Sequence, residues 1–303
     1  MLEKIIEKQT AEQERTLERW MEKHSREVPF PEGVRVVENV DYLGDGAPCH
    51  RMDIYCPTDA AAQLPVVVNL HGGGFLLGKK EANRLFCADL CKRGFAIFCL
   101  EYPLAPKTTI FEMFRDLTAG INRVSDLAGA YGGDGRWLIL CGDSAGAYLC
   151  LYLAAMQRAP KAAAVAGVRP IRPEITALGL QSGMFYTEKP DKIGLFLPKL
   201  IYGKGWRRHP FHPYLNPENP ELLQGLPPCF LVTGDGDFLR HYSRQLAAAL
   251  ERNGVEHRLL DLTAEKKLPH AFAAMLPEMP EARQANEEMA AFFMAHGRKN
   301  TEK

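Results

Sequence analysis

The sequence predicts an α/β fold with a mostly parallel sheet and helices on both faces. From Pro65 onward, short apolar runs typical of strands alternate with helical stretches. Two strand-like stretches before Pro65 are separated by a Gly44-Asp45-Gly46 turn, which indicates an antiparallel start to the sheet. Glycine-rich and polar motifs follow the apolar runs. Because ligands of open parallel sheets bind at the carboxyl ends of strands, we expect the functional site there.

The predicted elements follow in chain order. Residues 2 to about 27 place Leu17, Trp20 and Met21 among dense charges, a pattern that indicates one or two amphipathic helices. Residues 183–226 interrupt the later strand and helix rhythm with aromatic residues, proline and charge, which favours an inserted lid over a plain surface excursion. The predicted strands cover residues 34–42, 51–55, 66–70, 95–101, 137–141, 175–181, 229–233 and 257–262.

Composition limits the domain organisation and the partners. The chain has 303 residues without a low-complexity linker, so we expect a single domain over residues 1–303. Lysine plus arginine (37) balances aspartate plus glutamate (37), which predicts no nucleic-acid partner, although residues 204–209 are locally basic. The sequence leaves the oligomeric state open, a homodimer included.

The cellular setting is predicted from the chain start and the cysteines. The first residues are charged and lack the apolar stretch of a signal peptide, and no run approaches the length of a membrane span. Eight cysteines lie mostly in apolar segments without CxxC spacing, which favours reduced, buried thiols over disulfides or zinc. We therefore expect a cytoplasmic protein with no membrane partner, no metal and no other cofactor.

Two glycine-rich motifs predict acyl-transfer chemistry. Gly142-Asp143-Ser144-Ala145-Gly146 follows an apolar run and has the G-x-S-x-G form of a nucleophile elbow, a tight turn that exposes the serine hydroxyl. The pentapeptide alone is a weak signal. A second segment, His71-Gly72-Gly73-Gly74, follows another apolar run. The pair favours a nucleophilic Ser144 with an oxyanion hole built from the amides of Gly73, Gly74 and Ala145, and a merely flexible glycine turn is the minority interpretation.

A serine nucleophile requires a histidine base. His270 lies in a loop after the last strand and is our choice. His257 begins a strand, and His241 falls on a predicted helix. His71 adjoins the glycine loop, where hydrogen bonds to the backbone are the expected role.

A carboxylate must orient that histidine, and Gly234-Asp235-Gly236-Asp237 offers two. The order serine, aspartate, histidine is the one that this fold class uses. Asp235 stands between glycines, where hydrogen bonding within its own turn is usual, whereas Asp237 precedes an apolar pair that can anchor it. We favour Asp237, and Asp235 stays as the competing choice.

These residues resemble the hormone-sensitive-lipase-like family of α/β-hydrolases. The resemblance covers roughly residues 35–297 in order, through the two glycine motifs together with the segments 101–106, 237–240 and 269–272. It implies an eight-stranded sheet, a helical cap formed by residues 1–30 and 184–226, and a carboxylesterase that prefers small acyl chains. It also implies the roles assigned above to Ser144, Asp237 and His270. Pro103 and Lys107 depart from the family pattern, so one local ion pair of the family is expected to be absent.

The predicted function is hydrolysis of short-acyl carboxylic esters through an acyl-enzyme intermediate. An amidase or arylformamidase could use the same residues. A long-chain lipase is a further alternative, although the sequence has no strongly apolar stretch typical of a lid that binds lipid–water interfaces. A non-catalytic binding protein on this fold is disfavoured because His270 is present. The expected substrate pocket is lined by Phe75, Met184, Phe185, Phe196 and Trp206.

Overall fold

A computed structural model describes residues 2–59 and 63–296, and the remaining residues of the predicted domain, 1, 60–62 and 297–303, lie outside this part. Within it, eight strands form one mixed sheet in the order β1-β2-β4-β3-β5-β6-β7-β8. The strands are β1 Val34–Asp41, β2 Arg51–Pro57, β3 Leu64–Leu70, β4 Ala96–Leu100, β5 Gly133–Asp143, β6 Glu174–Gln181, β7 Cys229–Gly234 and β8 His257–Leu262.

The sheet is antiparallel only at one edge. β2 pairs antiparallel with both β1 and β4, and the five pairings from β4 to β8 are parallel. Six neighbouring strands therefore direct their carboxyl ends to one edge, where the loops after β3, β5, β6 and β7 can meet. The predicted fold class is confirmed.

The helices pack on both faces of the sheet. They are α1 Leu2–Glu27, α2 Arg84–Lys92, α3 Ile110–Leu127, α4 Ala145–Arg158, α5 Pro160–Ala166, α6 Lys192–Ile201, α7 Pro220–Leu223, α8 Arg240–Arg252, α9 Phe272–Met275 and α10 Pro280–His296. The chain start forms one continuous helix rather than two.

Alternate side chains of the strands enter two separate cores. On one face, Val68 of β3 packs in a cluster with residues of α3, α4 and α8. On the other face, Ile139 of β5 packs with residues of α2, α9 and α10. Because the central strands are covered on both sides, their buried stretches are mostly apolar, and they hold their terminal loops on a rigid base.

The segment between β6 and β7 carries α6 and α7. It is anchored by buried aromatic residues, since Tyr202 and Phe211 lie in the same core cluster as α4. All eight cysteines are free thiols and seven of them are buried. Among the described residues, no helix is long and apolar enough to cross a membrane.

Candidate active site

Ser144 occupies a strained turn between β5 and α4. Its φ of 51° and ψ of −112° lie where a residue with a side chain is rarely found. The turn is held by neighbouring backbone, because the Ser144 amide donates to the Gln181 carbonyl at 2.8 Å and its carbonyl accepts the Met184 amide at 3.0 Å. A Cβ on Gly146 would lie 2.0 Å from the Leu70 carbonyl oxygen, so only glycine lets α4 approach β3 this closely. The serine therefore stands at the tip of a fixed turn.

The glycine loop after β3 faces this turn. The Gly72 amide donates to the Asp143 carboxylate at 3.0 Å, so this amide is already used. The chain then turns through Gly73 and Gly74 with φ of 118° and 62°. A Cβ on Gly73 would lie 1.8 Å from the Leu77 carbonyl oxygen, which makes glycine obligatory in this conformation.

Asp143, beside the serine, is a buried carboxyl group that ties the two motifs together. One of its oxygens accepts both the Gly72 amide and the Asn83 side-chain amide, the latter at 2.9 Å. Burial raises the pKa of Asp143, and the hydrogen bond from Asn83 opposes this rise. Asn83 had no role in the sequence prediction, since a single asparagine in a helical stretch carries no recognisable signal.

His71, the residue before the glycines, is a buried cation. Its Nδ1 lies 2.7 Å from the Gly72 carbonyl oxygen and its Nε2 lies 2.7 Å from Glu101 Oε1. The carbonyl oxygen only accepts, and so does Glu101 in its ionised form, which His71 favours by lowering the pKa of that carboxyl group against the effect of burial. Both ring nitrogens therefore donate, and the imidazole is protonated. Burial alone would lower the pKa of His71, but the charge and hydrogen bond of Glu101 raise it to about 9. The ring also stacks on Tyr102, with 4.3 Å between centroids.

The charges continue from His71 toward β2. The second oxygen of Glu101 accepts the Lys80 amide at 3.1 Å. The Lys80 ammonium is buried and lies 3.0 Å from Asp53, and it also contacts Glu81. Positive and negative groups thus alternate from the glycine loop to the antiparallel edge of the sheet, and each buried charge has an opposite neighbour.

His270 is paired with Asp237. Its Nδ1 lies 2.6 Å from Asp237 Oδ1, and because a carboxylate only accepts, the ring N–H donates. The other oxygen of Asp237 accepts the Thr233 hydroxyl at 2.9 Å, and Oδ1 also accepts the Leu239 amide at 2.8 Å. Burial would raise the pKa of Asp237, but His270 and the Leu239 amide lower it.

Asp235, the competing carboxylate, points to a different partner. Its Oδ1 accepts the Leu268 amide at 2.9 Å, which ties the loop after β7 to the loop that carries His270. The Asp235 side chain therefore supports the position of the histidine loop, whereas Asp237 contacts the imidazole itself.

Ser182, at the end of β6, supports the histidine loop from a third side. Its hydroxyl accepts the Ala271 amide at 3.0 Å, directly after His270, and it also helps to lower the pKa of Asp237. Sequence reasoning missed this residue. Its position directly after a buried strand, beside Gly183, was the one available signal, because the other site motifs also follow strand ends.

Ser144, His270 and the glycine loop line one cavity of about 490 Å³. Most of its remaining wall is apolar, and α1 closes it from one side through Gln13 and Leu17. The other apolar lining residues are Leu76, Leu77, Met184, Phe238 and Met275. A larger cavity of about 650 Å³ lies on another side of α1 and contains none of the predicted catalytic side chains.

Of the five predicted pocket residues, Met184 lines this cavity. Phe75 and Phe185 do not, because both are fully buried in the core beneath it. The Phe75 ring packs edge-on against Tyr148 of α4, with 5.2 Å between centroids. The Phe185 ring folds back over Gly183, where an added Cβ would lie 2.0 Å from the ring.

Phe196 and Trp206 also lie outside the lining of this cavity. Phe196 lies on the solvent side of α6 and is 56% exposed. Trp206 lines a separate surface cavity beside α6, and the Arg207 guanidinium lies 4.4 Å from the centre of its ring. The insertion contributes to the cavity through Met184. Its later aromatic residues pack against α4, as Tyr202 and Phe211 do, or lie at the surface of the insertion.

Comparison with known proteins places the chain in a family. A family model described as the alpha/beta hydrolase fold matches residues 67–274. The chain belongs to this family. The match confirms the α/β-hydrolase resemblance drawn from the motifs.

Individual relatives resemble this chain in sequence, and the share of their own length that the match covers differs between them. The probable isoprenylcysteine alpha-carbonyl methylesterase ICME of Oryza sativa subsp. japonica is 30% identical over 238 residues, which are 75% of this chain and 56% of that protein. Carboxylesterase NlhH of Mycobacterium tuberculosis is 29% identical over 244 residues, 77% of this chain and 74% of that protein. The chain spans about half the length of the plant methylesterases it matches.

Among solved structures, esterase B of Lactobacillus rhamnosis superimposes with a TM-score of 0.89 at 23% identity. The likeness covers 98% of this chain and 97% of esterase B. It extends the agreement in fold to nearly the whole chain.

Proposed function

We propose that this protein is a serine carboxylesterase that hydrolyses small-molecule esters with short acyl chains. The observation that carries the proposal is the Asp237–His270 hydrogen bond of 2.6 Å at a cavity that Ser144 also lines. The relatives named as esterases add support, since carboxylesterase NlhH and the plant methylesterases both cleave esters by name.

In the proposed reaction, the Ser144 hydroxyl attacks the ester carbonyl and passes its proton to His270 Nε2. Asp237 holds the other ring nitrogen and stabilises the imidazolium. The amides of Gly73, Gly74 and Ala145 stabilise the oxyanion. His270 returns the proton to the leaving alcohol, and a water molecule then attacks the acyl-enzyme by the same route to release the acid.

The wall of the cavity supports an uncharged substrate. Leu17, Leu77 and Met184 offer apolar contacts to acyl or alcohol groups, and the polar lining is concentrated around the reacting atoms. Free thiols throughout the chain support a reducing, cytoplasmic location. A homodimer stays a prediction.

The decisive experiment is an acyl-length series of p-nitrophenyl esters, from acetyl upward, with a formyl-arylamine measured in parallel. Wild type should cleave the short esters fastest, and Ser144→Ala should lose hydrolysis while keeping its melting temperature. Ser25→Ala, at an exposed position on α1, serves as the matched control. Retained activity in Ser144→Ala would refute the nucleophile. Faster turnover of the formyl-arylamine would assign a formamidase, and a maximum at long acyl chains would assign a lipase.

A further inference from the structure

The insertion carries a surface that the proposed reaction does not use. Residues 192–217 contain five lysines and arginines and no aspartate or glutamate, in a chain whose charges otherwise balance. We define the cap patch as six exposed residues of this stretch: Leu195, Phe196, Lys199, Lys204, Arg207 and Arg208. The chain is neutral overall, yet basic residues are concentrated in this part of the insertion.

The cations of the cap patch surround one depression. Lys199, Lys204, Arg207 and Arg208 line the same surface cavity of about 330 Å³. Among the ion pairs of the described residues, none involves these four side chains, although many basic side chains elsewhere on the protein have an acidic partner. Such uncompensated charge favours an anionic partner.

Two apolar side chains stand beside the cations. Leu195 is 72% exposed and Phe196 is 56% exposed, on consecutive positions of α6. Leu195 lines the depression together with Lys199, which follows it by one helical turn. Trp206 lies at the same depression, half-buried, with Arg207 over its ring. A site for a free anion gains nothing from exposed leucine and phenylalanine, whereas a lipid surface accepts both kinds of group.

We propose that the cap patch docks this protein onto anionic phospholipid surfaces. The cations contact lipid phosphates and carboxylates, and the side chains of Leu195 and Phe196 enter the boundary between headgroups and acyl chains. This attachment is peripheral and reversible. It departs from the expectation of no membrane partner, which rested on the absence of a long apolar run. The locally basic run 204–209 is visible in the sequence, and the structure adds that Leu195 and Lys199 of α6 line the same depression.

The test is co-sedimentation of the full chain with vesicles. One set contains phosphatidylcholine alone, and the other contains about one third phosphatidylserine. We expect binding to the second set only, and loss of that binding at about 0.5 M salt, where charges are screened within a few ångströms. Equal binding to both sets, or binding to neither, would overturn the proposal.

Two variants separate the contributions. Replacement of Lys204, Arg207 and Arg208 by Gln should weaken binding on the order of one hundredfold. The double variant Leu195→Gln, Phe196→Gln should also weaken vesicle binding. The binding that remains in this variant should keep the salt dependence of the wild type. Melting temperatures establish that the variants are folded.

The matched control removes the same charge elsewhere, at the exposed residues Lys92, Arg169 and Arg283, and should bind as wild type does. An equal loss of vesicle binding in this control would show that binding depends on net charge alone, and it would refute the cap patch as the docking site. Inorganic phosphate and polyglutamate are tested as soluble anions. Binding of either through the patch, without binding to vesicles, would assign a free anion or an acidic protein instead.

Discussion

Replacing Glu101 by Gln should remove the pH dependence that the buried His71–Glu101 pair gives to stability. The two side chains lie 2.7 Å apart, and the His71 ring is 1% exposed, so solvent screens the pair very little. A glutamine side chain in place of the carboxylate can still accept a hydrogen bond from the ring, but it carries no charge. Its amide nitrogen cannot accept the Lys80 backbone amide as the second carboxylate oxygen does, and this loss costs the same at every pH. The pH-dependent part of the effect therefore isolates the charge of the pair.

The magnitude follows from the pKa of His71. A rise from 6.5 to about 9 corresponds to about 3 kcal/mol of extra stability for the folded, protonated state. The folded pKa is the higher one, so this contribution is complete below pH 6.5 and disappears as the pH rises through 9. The lowered pKa of Glu101 describes the same pair from the other side and is not added to it.

The assay is urea unfolding followed by tryptophan fluorescence, from about pH 6 to about pH 9.5. The difference in unfolding free energy between wild type and Glu101→Gln should be about 3 kcal/mol larger at pH 6 than above pH 9. Glu256→Gln is the control, because Glu256 is 63% exposed and lies 3.3 Å from His296. A difference that is constant with pH, or that grows toward pH 9, would refute a protonated His71.

Three further predictions concern turnover of a short p-nitrophenyl ester. Asp237→Asn should lower kcat about ten-thousandfold, because an amide cannot hold the imidazole in the required tautomer, and Asp235→Asn should cost far less; the reverse order would make Asp235 the orienting acid. Gly73→Ala should lower kcat about 100 to 1,000 fold with KM little changed, since the new Cβ would displace an oxyanion donor, and an unchanged kcat would exclude this loop from catalysis. Met184→Ala should shift the preferred acyl chain to greater length by about tenfold in relative kcat/KM, and an unaltered acyl series would place the acyl group elsewhere.

The strands and the glycine-flanked turn at Ser144 could be predicted because local sequence determines them. Gly142 and Gly146 flank Ser144 for a steric reason that holds wherever a strand turns this tightly into a helix. Strand periodicity also places the loops of Ser144, Asp237 and His270 at one edge without knowledge of the packing. Residue type and position in the chain are therefore enough to predict which edge of the sheet carries these side chains.

The pocket could not be predicted in the same way, because the direction of a side chain depends on distant packing partners. Phe75 follows the glycine loop directly, yet a φ of 66° turns its ring toward Tyr148 and away from the cavity. Phe185 is adjacent to Met184 and points into the core instead. The reverse case is Leu17, far before the nucleophile in the chain, which enters the cavity from α1.

The ion pair of His71 has a consequence for the oxyanion site beside it. In the proposed reaction, the carbonyl oxygen gains negative charge beside Gly73, two residues after His71, and an unpaired cation at His71 would attract that charge. Glu101 neutralises His71, the Lys80 ammonium pairs with Asp53, and the Lys80 backbone amide donates to Glu101. The His71 ring bonds both Glu101 and the Gly72 carbonyl oxygen, so the ion pair holds the start of the glycine loop and leaves little net charge beside it. In the proposed reaction, stabilisation of the oxyanion then depends on the amides of Gly73, Gly74 and Ala145, which act as negative charge develops on the oxygen and the carbonyl carbon becomes tetrahedral.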